Sequence, residues 1–174
     1  MQKIVGFYNI GTSLSKTRIN KSLNDFETVS VGSIINKYQD NNFILAASTT
    51  NATESIFNIN GIITCYSGFF FPNYFPKSIE KQLYEEKILH FLNNYKESGD
   101  KTILNYNGKF NFLIYDSSKK EIKILNDEFG FHPLFYYQDK ETIIFSNDYE
   151  SILKFNIDLK NDLNNLSIAE YLLL

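Results

Sequence analysis

A bend between two alternating apolar stretches is the feature that most constrains the fold of this chain. The bend lies in residues 127–137, D-E-F-G-F-H-P-L-F-Y-Y, between the stretches 120–125 and 142–145. Gly130 has the backbone freedom that a tight bend needs, and Pro133 forces the residue before it into an extended conformation. The aromatic residues that follow are typical of a half-buried sheet. The segment therefore predicts a strand, a corner and a second strand.

Other alternating runs extend this β-rich pattern. They predict strands at residues 2–10, 26–38, 42–48, 55–58, 62–66 and 110–115. Asn60 and Gly61 together are a type I′ hairpin signal. So many strands with apolar residues on both faces need cover on both sides. The sequence predicts either two stacked, mainly antiparallel sheets with flanking helices, which is an α+β fold, or a sheet that a partner covers.

Turn-forming and helix-forming residues predict the connections between these strands. Residues 11–24 and 67–76 are predicted as loops, the second of them aromatic, and residues 107–108, Asn-Gly, as a turn. Apolar side chains recur at helical spacing through residues 78–95, which is the clearest helix, and residues 149–155 suit a short one.

Composition excludes several classes of function. The 174 residues suit one soluble domain, and a net charge of −3 lacks the basic footprint that nucleic-acid binding requires. No apolar run is long enough to span a bilayer, and a single cysteine excludes a disulfide framework or a thiolate zinc site. We therefore expect a cytoplasmic protein with no metal site, no nucleic-acid partner and no membrane partner.

Four segments of the sequence resemble motifs of one protein family. Residues 127–137 resemble D-R-F-G-x-K/R-P-L-Y-Y, and residues 104–116, L-N-Y-N-G-K-F-N-F-L-I-Y-D, are similar to L-x-x-L-x-G-x-F-A-F-x-x-x-D. Residues 144–153 resemble F-A-S-E-x-K-A-L-L, and residues 65–70 fall where the family has N-G-E-I-Y-N. The family is the N-terminal class II glutamine amidotransferase domain, of the N-terminal-nucleophile (Ntn) type, found in asparagine synthetases, β-lactam synthetases and lasso-peptide cyclases.

This resemblance implies a fold and a division of the chain. The fold would be the αββα sandwich of Ntn hydrolases. Residues 1–156 would form a degenerate amidotransferase-like domain, and residues 157–174 a linker and the start of a synthetase domain that is absent or truncated here. The chain is then either a piece cut at the domain boundary or a stand-alone copy of the first domain.

The resemblance also implies that this protein lacks the family's nucleophile. Such domains attack glutamine with a cysteine at the mature N-terminus, and Gln2 occupies that position here. Ser67 with Gly68 replaces the Asn-Gly pair that binds the oxyanion, so one donor is lost. Glu85 stands where an aspartate binds the substrate's amine, and no arginine lies near residues 46–50 to bind its carboxylate. The resemblance implies no catalytic residue, a vestigial pocket of Ser67, Gly68 and Glu85, and no hydrolysis of glutamine.

Three further features each have a structural and a functional interpretation. Cys65 lies in an apolar strand, where a buried structural thiol is the alternative to a residual nucleophile. His132 stands where the family has a basic residue, and it is either a structural or rim residue or a functional one. Residues 69–71, three phenylalanines, are either a surface that binds a partner or a cluster buried under the helix.

The function that follows is a non-catalytic domain of an asparagine synthetase-like ligase that forms amides in natural-product or peptide maturation. The implied synthetase domain, in the same or a separate chain, would use ATP and Mg²⁺, whereas the present domain would hold no cofactor. A precursor peptide is a further candidate partner. The alternative is a free-standing module that binds a peptide or a small amide, and a residual hydrolase that uses Cys65 is the third hypothesis.

Overall fold

The computed structural model describes residues 3–10, 20, 23–24, 26–27, 33–49, 55–73 and 84–155. These residues form two antiparallel sheets. Sheet 1 has the strand order β2 (Ile34–Gln39), β3 (Phe43–Thr49), β1 (Lys3–Asn9), β9 (Thr142–Ser146) and β8 (Phe135–Gln138). Sheet 2 has the order β4 (Phe57–Ile59), β5 (Ile62–Pro72), β6 (Tyr106–Asp116) and β7 (Glu121–Asn126). The predicted pair of antiparallel sheets is confirmed.

Helical segments lie on the outer faces of both sheets. Helix α1 (Tyr84–Ser98) leads into a 3₁₀ helix (Gly99–Asn105), and α2 (Tyr149–Phe155) follows β9. The predicted end of α1 is confirmed, because Gly99 has a positive φ of 60° directly after the last helical residue. The predicted start of this helix, before Tyr84, falls outside the described residues.

Three apolar clusters define the layers of an α+β sandwich. The cluster between the sheets takes side chains from both of them: Ile4, Phe43, Leu45, Ala47, Ile63, Cys65, Leu113, Tyr115 and Phe145. A second cluster joins α1 to the outer face of sheet 2 and includes Phe70, Ile88, Phe91, Tyr106, Phe110 and Phe112. The third covers the outer face of sheet 1 and includes Val5, Phe7, Leu23, Phe26, Ile144 and Ile152.

The hairpin predicted at Asn60 and Gly61 is confirmed. Both residues have positive φ, 54° and 80°, as a type I′ turn requires. The turn joins β4 to β5, and Ile59 pairs with Ile62 across it.

Two predictions about the middle of the sequence were wrong. Residues 67–72 are not a loop but the second half of β5, and Gly108 lies inside β6 rather than in a turn. The two segments pair with each other, with Gly68 opposite Phe110 and Phe70 opposite Gly108. The hydrogen-bonded ladder of two long strands therefore overrides the local turn preference of these glycines.

The N-terminal third also departs from prediction. Phe26 and Glu27, predicted as the start of a strand, are helical, and β2 begins only at Ile34. Leu23, predicted in a loop, is helical as well. Leu23 and Phe26 are both buried against sheet 1, at the three-residue spacing that places side chains on one helical face.

Candidate functional site

The predicted corner between β7 and β8 is organised by the carboxylate of Asp127. Its Oδ1 accepts the backbone N–H groups of Phe129 at 3.2 Å and Phe131 at 3.0 Å. Its Oδ2 accepts those of His132 at 3.1 Å and Phe110 at 3.2 Å. The backbone carbonyl of Asp127 accepts the N–H of Gly130, at 3.0 Å. At the end of the β6–β7 ladder the N–H of Phe110 therefore bonds to the carboxylate of Asp127 instead of to its backbone carbonyl.

The surrounding backbone N–H groups stabilise the charged form of the Asp127 side chain. Burial by itself raises the pKa of the carboxyl group, but the N–H groups of Phe131, His132, Phe110 and Phe129 hold the pKa below its ordinary value. Asp127 is therefore a buried carboxylate whose charge is stabilised by backbone hydrogen bonds. It fixes the path of the polypeptide as far as His132.

The corner places His132 against Ser67, one of the residues predicted in the vestigial pocket. His132 Nε2 lies 3.0 Å from Ser67 Oγ, and both residues are buried. Burial lowers the pKa of His132, although the charge of Asp127 opposes this effect. A neutral imidazole nitrogen can either donate a hydrogen bond to the hydroxyl or accept one from it, depending on the tautomer. In both cases the hydroxyl of Ser67 is hydrogen-bonded within the protein.

Asn111 completes this polar cluster, and sequence reasoning missed it. It pairs with Ser67 across the β5–β6 ladder, and its Nδ2 donates to the backbone carbonyl of Pro133 at 3.2 Å. Its Oδ1 is buried with no partner in the part of the protein that the structure describes. The available signal was the asparagine itself, at position 111 of the segment F-N-F, where the family motif has alanine.

Gly68 lies next to this cluster in a conformation that only glycine adopts easily. Its φ is +93°, and a Cβ at this position would lie 2.0 Å from the backbone oxygen of Lys109. The opposite residue, Phe110, directs its backbone N–H and carbonyl to Asp127 and not to Gly68. The glycine is therefore required by the close approach of β5 and β6.

The cluster lies at the end of the sandwich where β1 begins. β8 starts at Phe135 opposite Ser146, and Ser146 also pairs with Val5 of β1. The β1 backbone is held there by Asn147, whose Oδ1 accepts the N–H of Ile4 at 2.9 Å. The predicted nucleophile position, Gln2, lies outside the described residues.

Glu85, the third residue of the predicted pocket, is not brought to this cluster by anything that the structure describes. Its backbone belongs to the first turn of α1, and its side chain lies outside the described residues. Its role therefore stays a prediction.

Cys65, the one cysteine of the sequence, is fully buried between the two sheets. Burial raises the pKa of its thiol to about 12. A buried thiol of this kind packs as a small apolar side chain and does not act as a nucleophile at neutral pH. The structural interpretation of Cys65 is the one that the geometry supports.

Metal-ligand groups and membrane-spanning helices were also sought among the described residues. Among them, no group of three or more histidine, cysteine, aspartate or glutamate side chains is placed to bind a metal ion. No helix that the structure describes has the length and apolar character needed to cross a membrane.

Comparison with known proteins agrees with this architecture. Residues 86–174, just over half of the sequence, match the family model of the glutamine amidotransferase domain. The chain therefore belongs to the glutamine amidotransferase domain family, in its class II, asparagine synthetase-like form. A stretch of 67 residues, 38% of this chain, is 33% identical to asparagine synthetase [glutamine-hydrolyzing] 2 of Bacillus subtilis (strain 168). The match spans 9% of the length of that relative.

Proposed function

We propose that this domain does not hydrolyse glutamine and instead packs against the ATP-dependent synthetase domain of an amide-forming ligase, in the same polypeptide or in a separate one. The ligase would be of the natural-product or peptide-modifying type, with a precursor peptide as its substrate. ATP and Mg²⁺ would bind to the synthetase domain, and the amine would come from a source other than glutamine bound here.

The state of Cys65 is the observation that carries this proposal. Glutamine hydrolysis in this family needs a cysteine thiolate, and the sequence has one cysteine. Its thiol is fully buried with a pKa raised to about 12. At pH 7 such a thiol is almost entirely protonated, and its complete burial keeps a substrate from reaching it.

The cluster around Ser67 supports the same conclusion. An oxyanion site needs donors that point toward the reacting atom and are free to bind it. Here the hydroxyl of Ser67 faces His132, and the amide nitrogen of Asn111 donates to Pro133. The hydroxyl of Ser67 and one N–H of the Asn111 amide are thus engaged in internal hydrogen bonds, which suits a structural role for the old pocket.

The proposal is tested by measuring glutamate release from glutamine by the purified protein. We expect a rate equal to that of buffer alone, for the wild type and for Cys65→Ala alike. An electrophilic glutamine analogue should leave the mass of the protein unchanged, since the native fold presents no thiolate to it. Glutamine-dependent glutamate release that disappears in Cys65→Ala would instead identify a residual hydrolase.

The proposed partnership is tested in the complete ligase. With an amine supplied as nucleophile, we expect ATP-dependent amide formation to be the same for the wild type and for Ser67→Ala. Glutamine should not replace the amine. A ligase that takes its nitrogen from glutamine, and that loses this ability on Cys65→Ala, would contradict the proposal.

A further inference from the structure

We propose that the open edge between β7 and β8 binds an extended, uncharged peptide segment, which adds to β7 as a further strand. The proposal concerns a different surface from the Ser67 cluster. It goes beyond the proposed function and stays valid whether or not the domain hydrolyses glutamine.

The two sheets leave a cleft between their last strands. β7 ends the order of sheet 2 and β8 ends that of sheet 1, among the strands that the structure describes. Side chains of both strands line a cleft of about 410 Å³. The lining consists of Ile122, Ile124 and Asn126 from β7, Leu134, Tyr136 and Gln138 from the β8 side, and Ile143 and Phe145 from the neighbouring β9. The residues that line this cleft carry no charge.

The register shows which backbone groups of β7 face away from the sheet. The N–H of Asp127 donates to the carbonyl of Phe110 at 2.9 Å, so this pair is hydrogen-bonded. In an antiparallel pair the direction alternates from one residue to the next. The N–H and carbonyl groups of Ile122, Ile124 and Asn126 therefore point away from β6.

The same reasoning applies to β8. The N–H of Asp139 donates to the carbonyl of Thr142 at 3.0 Å, which closes the β8–β9 hairpin. The backbone groups of Tyr136 and Gln138 therefore point away from β9. The residues of β7 and β8 whose side chains line the cleft are thus the ones whose backbone groups are unpaired, among the described contacts, on the two edges.

Within the described residues, neither strand contains a proline, and no charged side chain of either strand lines the cleft. Proteins guard edges with proline, a bulge or a charged side chain that points into the pairing region. The one lysine of β7, Lys123, is held on the opposite face by Asp100, at 3.0 Å. On β8, Tyr136 is 71% exposed, although it is a large aromatic residue. A strand edge with unpaired backbone groups beside an exposed aromatic side chain is typical of a site for strand addition.

The geometry of the edge defines its occupant. Three outward-facing residues of β7, at positions 122, 124 and 126, pair with a segment of about five residues in extended conformation. Alternate side chains of that segment enter the cleft, so they must be apolar and uncharged. β7 offers the longer edge, since β8 has only four residues. We therefore assign the peptide to β7, with its side chains between Ile124 and Tyr136.

The first test is the binding of a synthetic ten-residue peptide in which valine alternates with serine, measured by fluorescence anisotropy. Two modified peptides carry N-methyl groups, one on every valine and the other on every serine. Only one of these sets donates hydrogen bonds to β7, so one modification should abolish binding and the other should preserve it. No binding by the unmodified peptide, or equal behaviour of the two modified ones, would overturn the proposal.

Amide hydrogen exchange identifies the edge that is used. Addition of the unmodified peptide should slow exchange at Ile122, Ile124 and Asn126 by at least about tenfold. Exchange at Tyr136 and Gln138 should be unchanged. Protection of the β8 amides alone would show that the assignment to β7 is wrong.

Side-chain variants distinguish specific binding in the cleft from nonspecific binding to exposed apolar side chains. Tyr136→Ser should weaken peptide binding by about tenfold or more, since an aromatic anchor is lost. Leu104→Ser removes an equally exposed apolar side chain, from the 3₁₀ helix, and should bind as the wild type does. Equal losses in both variants would contradict a specific site. So would concentration-dependent dimerisation that excludes the peptide, because a second copy would then occupy the edge.

Discussion

At the scale of single residues, one buried carboxylate holds the corner that carries His132. Asp127 accepts four backbone N–H groups, three from the corner itself and one from β6. The sequence predicts a bend here from Gly130 and Pro133, and the bend is confirmed. It does not reveal that the carboxylate is the centre of the bend, because one of its donors, Phe110, lies 17 positions away in the sequence.

Asp127→Ala should destabilise the protein strongly. It leaves buried N–H groups without an acceptor, and the expected loss is roughly 3 kcal/mol of unfolding free energy. Asp127→Asn keeps one acceptor oxygen and should lose less. Urea denaturation followed by circular dichroism measures both. Glu128→Gln, at the exposed neighbouring position, is the matched control and should stay within about 0.5 kcal/mol of the wild type.

The lowered pKa of Asp127 also predicts a dependence on pH. The folded pKa lies below the unfolded value of about 3.9, so the charged form stabilises the fold above that pH. This contribution is lost as the pH falls through the folded pKa. The difference in stability between the wild type and Asp127→Asn should therefore be constant from about pH 5 to 7 and shrink below about pH 4. A difference that persists unchanged at pH 2 would contradict this account.

At the scale of elements, β5 separates the two interpretations of the three phenylalanines. Phe70 is 4% exposed and packs edge-on against Phe91 of α1, with ring centroids 5.9 Å apart. Phe69 is 58% exposed, and it points to the opposite face because side chains of neighbouring strand residues alternate. Burial under the helix therefore holds for the middle residue, and exposure holds for Phe69 and Phe71.

Truncation at these neighbouring positions should give very different results. Phe70→Ala removes a ring from the core between α1 and sheet 2 and should cost about 3–5 kcal/mol. Phe69→Ala should change the unfolding free energy by no more than about 0.5 kcal/mol. Chemical denaturation of both variants under the same conditions tests the alternation. Similar losses would mean that residues 67–72 are not a regular strand in solution.

At the scale of the whole molecule, two tyrosine hydroxyls tie the sheets together. Tyr115 of β6 donates to Asp40 Oδ2 at 2.8 Å, and Asp40 belongs to the turn between β2 and β3. Tyr8 of β1 donates to the backbone carbonyl of Lys120, in the turn between β6 and β7. Each hydrogen bond joins one sheet to the other beside the shared apolar core. Apolar packing is non-directional, so these hydrogen bonds help to fix the relative orientation of the two sheets.

Tyr115→Phe tests this connection between the sheets. It keeps the ring in the core and removes one hydrogen bond to a carboxylate, so the expected loss is about 1–3 kcal/mol. Tyr136→Phe removes an exposed hydroxyl from β8 and should leave the midpoint of urea unfolding unchanged. An equal midpoint for both variants would show that the contact between the sheets rests on apolar packing alone.

The sequence by itself determined the local features of this protein. Hydrophobic alternation predicted strands in both sheets, and turn chemistry predicted the hairpin at Asn60 and the end of α1 at Gly99, because these signals arise between neighbours in the sequence. The tertiary structure decided that residues 67–72 are a strand, since only the pairing with β6 stabilises that conformation. It also decided the contact between Ser67 and His132, which lie 65 positions apart. Such contacts depend on how two sheets stack, and no local pattern encodes them.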